Sequence, residues 1–136
     1  MTENRKSDCP INYGLEFFGD RWSLLIIRDI MFNGKQSYGD FLASDEKIST
    51  NILANRLKML QEIGLIQKYP DPAHGSKSIY SLTAKGMDLL PVLLEITAWS
   101  AKYDHELNVD QGFVNRYRQD RSKVLQEVVQ KRGLTD

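Results

Sequence analysis

Between Ser49 and Ile66 the chain reads STNILANRLKMLQEIGLI, and its apolar and polar positions separate at helical spacing. At about 100° per residue, Ile52, Leu53, Leu57, Met59, Leu60 and Ile63 fall on one side. Thr50, Asn51, Ala54, Asn55, Lys58, Gln61 and Glu62 fall on the other. Ser49 has N-cap chemistry, so the pattern predicts a helix from Thr50 to near Gly64. The polar arc holds hydroxyl, amide and ammonium groups with no acid before Glu62, and Ala54 leaves room for close approach. Such an arc can offer donors and acceptors to base edges and phosphates. The simpler alternative is the solvated face of an ordinary surface helix.

Upstream, residues 1–8 are polar and expected to be loose. Ile11, Leu15 and Phe18 then recur on one side of a short helix that Pro10 opens and Gly19 closes. Asp20 is placed to cap the next helix, RWSLLIIRDIMF, which is apolar nearly all round and therefore expected at the centre of the core. Asn33-Gly34 stops it. Ser37-Tyr-Gly-Asp40 has capping-box spacing, with Asp40 in the place of the usual Glu or Gln, and opens a short helix ending near Ala43. A short helix, a turn and a longer helix with a polar N-terminal face is the helix-turn-helix arrangement.

Leu65–Tyr69 and Ser78–Leu82 read as two strands, and the Pro-, Gly- and Asp-rich stretch from Pro70 to Lys77 as the tip between them. A hairpin directly behind a reading helix is a wing, whose tip, here holding His74 and Lys77, can touch phosphate or the minor groove. A solvated loop is the other reading, and for His74 alone the better one. Thr83 is placed to cap a helix running to Tyr103, which Pro91 either kinks or restarts. Val109–Lys131 reads as one terminal helix, with Phe113, Tyr117, Val124 and Val128 at helical spacing. A three-helix core with one hairpin cannot readily cover both of these apolar faces. Either they pack on a second copy in a two-fold dimer, the favoured arrangement, or they fold back on their own core.

Composition narrows the field. With 136 residues, 41% of them hydrophobic, the chain can bury one real core, and no apolar run approaches the ~20 residues that span a bilayer. The first residues have no apolar stretch, so no secretory leader is expected, and a single cysteine suits a reducing cytoplasm. The formal net charge of zero argues mildly against a nucleic-acid partner. Residues 35–85 nevertheless carry Lys35, Lys47, Arg56, Lys58, Lys68, Lys77 and Lys85 against Asp40, Asp45, Glu46, Glu62 and Asp71, a small local excess of base. No phosphate-binding glycine loop, zinc-ligand spacing or nucleophile–histidine set is present, so neither an enzyme nor a metal or cofactor is expected. Cys9 precedes a helix N-terminus, whose positive end favours a thiolate, with Arg5 and Lys6 close in sequence. It is either a reactive thiol or a small apolar side chain packed under the first helix.

Several pieces in this order resemble the HxlR-type winged-helix regulators, relatives of the MarR group. They are Cys9-Pro10, Gly19-Asp-Arg-Trp22, Leu57–Ile66, Tyr80-Ser-Leu-Thr-Ala-Lys-Gly86, and Leu89-Leu-Pro91 leading to Trp99. The resemblance covers residues 9–103 and implies a mainly α winged helix-turn-helix domain with a small β-hairpin. It implies a homodimer on double-stranded DNA, with dimerisation through N- and C-terminal helices, and a 104–136 extension to which nothing is carried over. It places Ser49–Lys58 in the major groove and the 70–78 tip at the wing. In several members a cysteine at the position of Cys9 senses electrophiles, quinones or oxidants.

The reading that results is a repressor bound to a pseudo-palindromic operator. Ser49, Thr50, Asn51, Asn55 and Lys58 face DNA, Asn51 and Asn55 can pair with adenine edges, and His74 and Lys77 lie on the wing. Arg56 points towards the apolar side and meets either a core-edge carboxylate or a phosphate. A small electrophile at Cys9, or a ligand between the dimer helices, is the expected signal. A winged helix used only for protein interaction is the alternative.

Overall fold

The first helices form where local chemistry satisfies their ends. In the computed structural model, which describes residues 5–131, α1 (Pro10–Phe18) opens with Pro10 in its first turn, where the missing N–H needs no partner. α2 (Ser23–Asn33) ends at Gly34, whose φ of 64° is the left-handed conformation that stops a helix. α3 (Tyr38–Leu42) carries a complete capping box: Ser37 Oγ accepts from the Asp40 N–H at 3.1 Å, and the Asp40 carboxylate accepts from the Ser37 N–H at 3.1 Å. α4 (Thr50–Glu62) is capped by Ser49, whose Oγ accepts from the Ile52 N–H at 3.3 Å.

β1 (Ile66–Pro70) and β2 (Ser78–Leu82) pair antiparallel, with Ile66 opposite Leu82 and Pro70 opposite Ser78. Ser37 adds an isolated bridge to Ile79, and the Tyr80 N–H donates to the Gln36 carbonyl at 2.8 Å. The hairpin is thus tied to the start of α3, which makes it a wing on a helix-turn-helix. Thr83 closes the base of the wing. Its hydroxyl donates to the Gly64 carbonyl at 2.5 Å and accepts from the Gly86 N–H at 3.1 Å, while its own N–H donates to the Leu65 carbonyl at 3.1 Å.

The chain divides into two compact units, one up to Gly86 and one from Met87 onward, with α5 (Ala84–Met87) at the boundary. The core of the first unit includes Phe17, Ile26, Ile27, Phe41, Leu53, Leu57, Leu60 and Tyr80. Burying each large aliphatic side chain among these stabilises the fold by roughly 1.5–3 kcal/mol against an extended chain. The second unit comprises α6 (Leu90–Tyr103), α7 (Gln111–Gln119) and α8 (Arg121–Lys131). Here Glu95 accepts from Tyr117 Oη at 2.8 Å and from Arg121 Nε at 2.5 Å, and Arg118 donates to the Ala98 carbonyl at 2.6 Å. Among the described residues no helix is long and apolar enough to cross a membrane.

Several expectations are corrected or resolved. α2 begins at Ser23 rather than Arg21, although the Asp20 carboxylate still receives the Trp22 and Ser23 N–H groups at 2.9 Å each. Of the two alternatives for Pro91, kink or restart, the structure has the restart: α5 ends at Met87 and Pro91 sits in the first turn of α6. The expected terminal helix is two, because Asp120 leaves helical geometry (φ −152°, ψ 87°) and its carboxylate accepts from the Lys123 N–H at 3.2 Å. Ile11 and Leu15, placed on one side of α1 with no burial assigned, are exposed, and Phe17 is the buried residue of the helix. Within the expected loose start, Arg5 pairs with Asp8 at 2.8 Å and the Lys6 N–H donates to Glu16 at 3.0 Å, both at exposed positions. The rest of that start (1–4) and the last residues of the expected extension (132–136) lie outside the described residues.

Gly86 is buried, and a Cβ built on it would stand 2.1 Å from the Leu65 carbonyl oxygen. Backbone must move to admit any side chain there. Gly86→Ala is expected to lower the free energy of unfolding by about 1–3 kcal/mol, read from urea melts. An unchanged midpoint would mean that the approach of α5 to the Leu65 carbonyl is not tight.

Candidate nucleic-acid interface

The second helix of the helix-turn-helix shows its two faces plainly. Leu53, Leu57 and Leu60 are buried, while Thr50, Asn51, Ala54, Asn55 and Lys58 are exposed together. Ile52, expected in the core, is 40% exposed and joins the outer face. It lies about 100° from the Leu53 stripe, on the flank of the helix rather than under it. The N-terminal turn is held from outside α4 as well, because Tyr38 Oη on α3 donates to the Thr50 carbonyl at 2.8 Å.

Arg56 settles between its two alternatives. Its Nη1 lies 3.5 Å from Asp20 Oδ1, so the guanidinium meets a core-edge carboxylate. The same guanidinium turns outward to Asn55, donating to Oδ1 from Nε at 3.1 Å and from Nη2 at 2.5 Å. Burial opposes ionisation of Asp20, but the Ser23 hydroxyl, the Trp22 and Ser23 N–H groups and Arg56 together hold its carboxyl below the usual aspartate range.

The turn that aims α4 is built on a buried carboxylate. Asp29 on α2 is 3% exposed. Its Oδ1 accepts from Arg28 at 2.9 and 3.1 Å and from Asn33 Nδ2 at 2.9 Å; its Oδ2 accepts from Ser44 Oγ at 2.5 Å. Lys35 donates to the same Ser44 hydroxyl at 2.6 Å. Arg28 reaches on to Glu46 with a two-pronged contact at 2.8 and 2.9 Å. Ser44 and Glu46 belong to the α3–α4 turn, where Lys47 takes the left-handed φ of 59°. The Arg28 hydrogen bonds outweigh burial and pull the Glu46 carboxyl down to about 2, while Arg28 itself is raised.

On the wing, the Asp71 carboxylate accepts from the Ala73 N–H at 2.9 Å, and the Lys77 N–H donates to the His74 carbonyl at 2.8 Å, so the tip is internally bonded. His74 and Lys77 are both exposed. Lys77 also lines a cleft of about 410 Å³ with Ser37, Tyr38, Gly39, Ser78 and Tyr80, which puts it beside the start of α3. Cys9 is exposed at the N-cap position of α1 and makes no side-chain cap; Arg5, close to it in sequence, is paired with Asp8.

Residues 17–108, well over half of the chain, match the family described as HxlR-like helix-turn-helix. The chain belongs to that family. The helix-turn-helix regulator Rv3095 of Mycobacterium tuberculosis, itself uncharacterized, is 34% identical over 93 residues, which are 68% of this chain and 58% of Rv3095. The chain therefore spans little more than half the length of that relative. The regulator YodB of Bacillus subtilis is 31% identical over 70% of this chain and 85% of its own. Its reduced structure matches with a TM-score of 0.58 at 30% identity, over 71% of this chain and 95% of that one; quinone-bound and diamide-treated forms of YodB are similar as well. The structure of PA1607 matches with a TM-score of 0.69 at 36% identity, covering 79% of this chain and 74% of that one.

The relatives matched by this HxlR-like chain are named transcriptional regulators of helix-turn-helix type. Two residues of the candidate interface escaped the sequence reading. Tyr38 gave no signal, since a tyrosine in a short helix says nothing about a carbonyl on the next one. Ile52 was concealed by counting every apolar residue as core, although its angle from the leucine stripe marks it as flanking.

The Arg28–Glu46 contact generates a pH dependence with a definite sign. A carboxyl with a lowered folded-state pKa contributes stability above its ordinary value of 4.5, and loses it as pH falls towards 2. Glu46→Gln is expected to destabilise the protein by about 1 kcal/mol at neutral pH. The gap from wild type should narrow below pH 4.5 in chemical melts; a gap independent of pH would show that Glu46 acts by packing alone.

Proposed function

We propose that this HxlR-like chain acts as a homodimeric repressor on a pseudo-palindromic site in double-stranded DNA. Each subunit lays the N-terminal half of α4 in the major groove. The observation that carries this reading is the exposed, acid-free arc of Thr50, Asn51, Asn55 and Lys58, capped by Ser49 and braced by Tyr38. Asn51 has an amide that can pair with an adenine edge, the Ile52 side chain suits a thymine methyl, and Lys58 suits phosphate. Lys77 and His74 bring the wing to the neighbouring backbone.

The dimer rests on apolar surface that each unit leaves uncovered. Ile11 and Leu15 on α1 are 73% and 56% exposed, and on α6 Trp99 and Tyr103, their rings 5.4 Å apart, are each 67% exposed. Side chains of this size, repeated on one helix, mark an association surface. A two-fold partner would pair two reading helices with two half-sites.

Cys9 is the proposed point of control by an oxidant or electrophile. Its exposure on α1, next to the apolar residues assigned to the dimer, supports this, as does the likeness to YodB in its quinone-bound and diamide-treated forms. With one cysteine per chain, the product is an adduct, a sulfenic acid, a mixed disulfide or a bridge to the second subunit.

Fluorescence anisotropy on duplex from upstream of the protein's own gene tests the reading against a scrambled duplex, at two salt concentrations, with and without diamide. Wild type should prefer the first duplex and release it on oxidation, and Cys9→Ser should bind and not release. Asn51→Ala should weaken the specific complex by roughly 1–3 kcal/mol and leave the scrambled one unchanged, whereas Lys58→Ala should weaken both. Selective binding indifferent to oxidant would remove the switch and keep the regulator. No selectivity here or on pooled genomic fragments would favour a protein-interaction module.

A further inference from the structure

Asn55 and Arg56 lie side by side at the edge of the reading face, and their contact restricts what Asn55 can say to a base. A guanidinium has five donors and no acceptor, so the amide atom that faces it must be the oxygen. Both close contacts converge on that oxygen, from Nε at 3.1 Å and Nη2 at 2.5 Å. The remaining arm of the fork points back to Asp20 at 3.5 Å, and Asp20 is itself fixed by the Trp22 and Ser23 N–H groups and the Ser23 hydroxyl. The chain Asp20–Arg56–Asn55 therefore runs from the start of α2 to the outer face of α4, and it holds one rotamer of an exposed amide. Asn51, one turn earlier on the same face, has no such neighbour at its oxygen among the contacts described.

Adenine is read by an asparagine that uses both ends, its oxygen accepting from N6–H₂ while its NH₂ donates to N7. An asparagine whose oxygen is already engaged offers only the NH₂. Guanine presents two acceptors, N7 and O6, where adenine presents an acceptor and a donor. We infer that Arg56 is a positioning residue for specificity: by occupying Oδ1 of Asn55 it makes Asn55 a donor-only reader that selects guanine over adenine, while Asn51 keeps the adenine-reading role. The inference rests on α4 being the groove-facing helix, and it divides two asparagines that sequence alone treats as equivalent.

Selection from a pool of random duplexes by the full-length protein, with base frequencies read at each position, tests it. Asn55→Ala, a change at an exposed site, identifies the position that Asn55 reads as the one whose preference it levels; Asn51→Ala does the same for Asn51. Wild type should show guanine at the first position and adenine at the second. Arg56→Met, which keeps the length of the side chain and removes its donors, should turn the Asn55 position towards adenine by roughly tenfold or more and leave the Asn51 position as it was. Loss of structure alone would weaken all positions together, and a thermal melt of the variant checks for it. If Arg56→Met does not fold, the wild-type and Asn55→Ala profiles still decide. Adenine at the Asn55 position in wild type, an unchanged profile in a folded Arg56→Met, or an Asn55→Ala that levels nothing would each overturn the inference and leave the regulator reading intact. Failure of wild type to enrich any sequence would instead overturn both.

Discussion

A carboxylate buried without compensation is among the most unfavourable groups a small core can hold, and Asp29 sits in the core at 3% exposure. Its oxygens are satisfied by Arg28, Asn33 and Ser44, and every buried side-chain polar atom among the described residues has a partner. That requirement reaches beyond α2. Ser44 is part of the turn after α3, and Arg28 extends to Glu46 in the same turn, so satisfying Asp29 also places the segment that leads into α4. Buried ion pairs contribute little net stability, but they are intolerant of wrong geometry. Here the geometry in question is the aim of the helix assigned to the groove.

The two faces of α4 then divide the work. Leu53, Leu57 and Leu60 hold the helix to the core, while on the outer face Ser49 caps the helix, the Thr50 carbonyl takes Tyr38 and the Asn55 amide takes Arg56. Arg56 stands between the faces and belongs to both: one arm is anchored on Asp20, and the other conditions the amide beside it. A single side chain on the flank of a helix can thus link core-edge electrostatics to the hydrogen-bond pattern shown to a partner.

The second unit follows a different logic. Tyr117, Arg121 and Arg118 converge on one side of α6 through Glu95 and the Ala98 carbonyl, while Trp99 and Tyr103 stay exposed. α7 and α8 lie beyond residue 108, where the family match ends. Their polar contacts to α6 tie this extension into the unit without covering the exposed aromatic pair.

Much of the first unit was legible from residue order, because its decisive interactions are local. Ser37 with Asp40, Ser49 with the Ile52 N–H and Gly34 with its left-handed φ all involve groups a few residues apart, which the order of residues alone brings together. The same locality exposed the acid-free arc from Thr50 to Lys58. What required tertiary structure were contacts between distant positions, which no helical period encodes. Tyr38 reaching Thr50, Arg28 reaching Glu46 and Thr83 closing on Gly64 are of this kind. The helix break at Asp120 was hidden because apolar spacing persists across it while the backbone turns, whereas Pro91 had marked the restart at α6. The sequence by itself determined that one helix carries an acid-free polar face and which residues lie on it. Tertiary structure decided how those residues present themselves, since Asp20 and Asn55 compete for the donors of Arg56 only once α4 has packed against the start of α2.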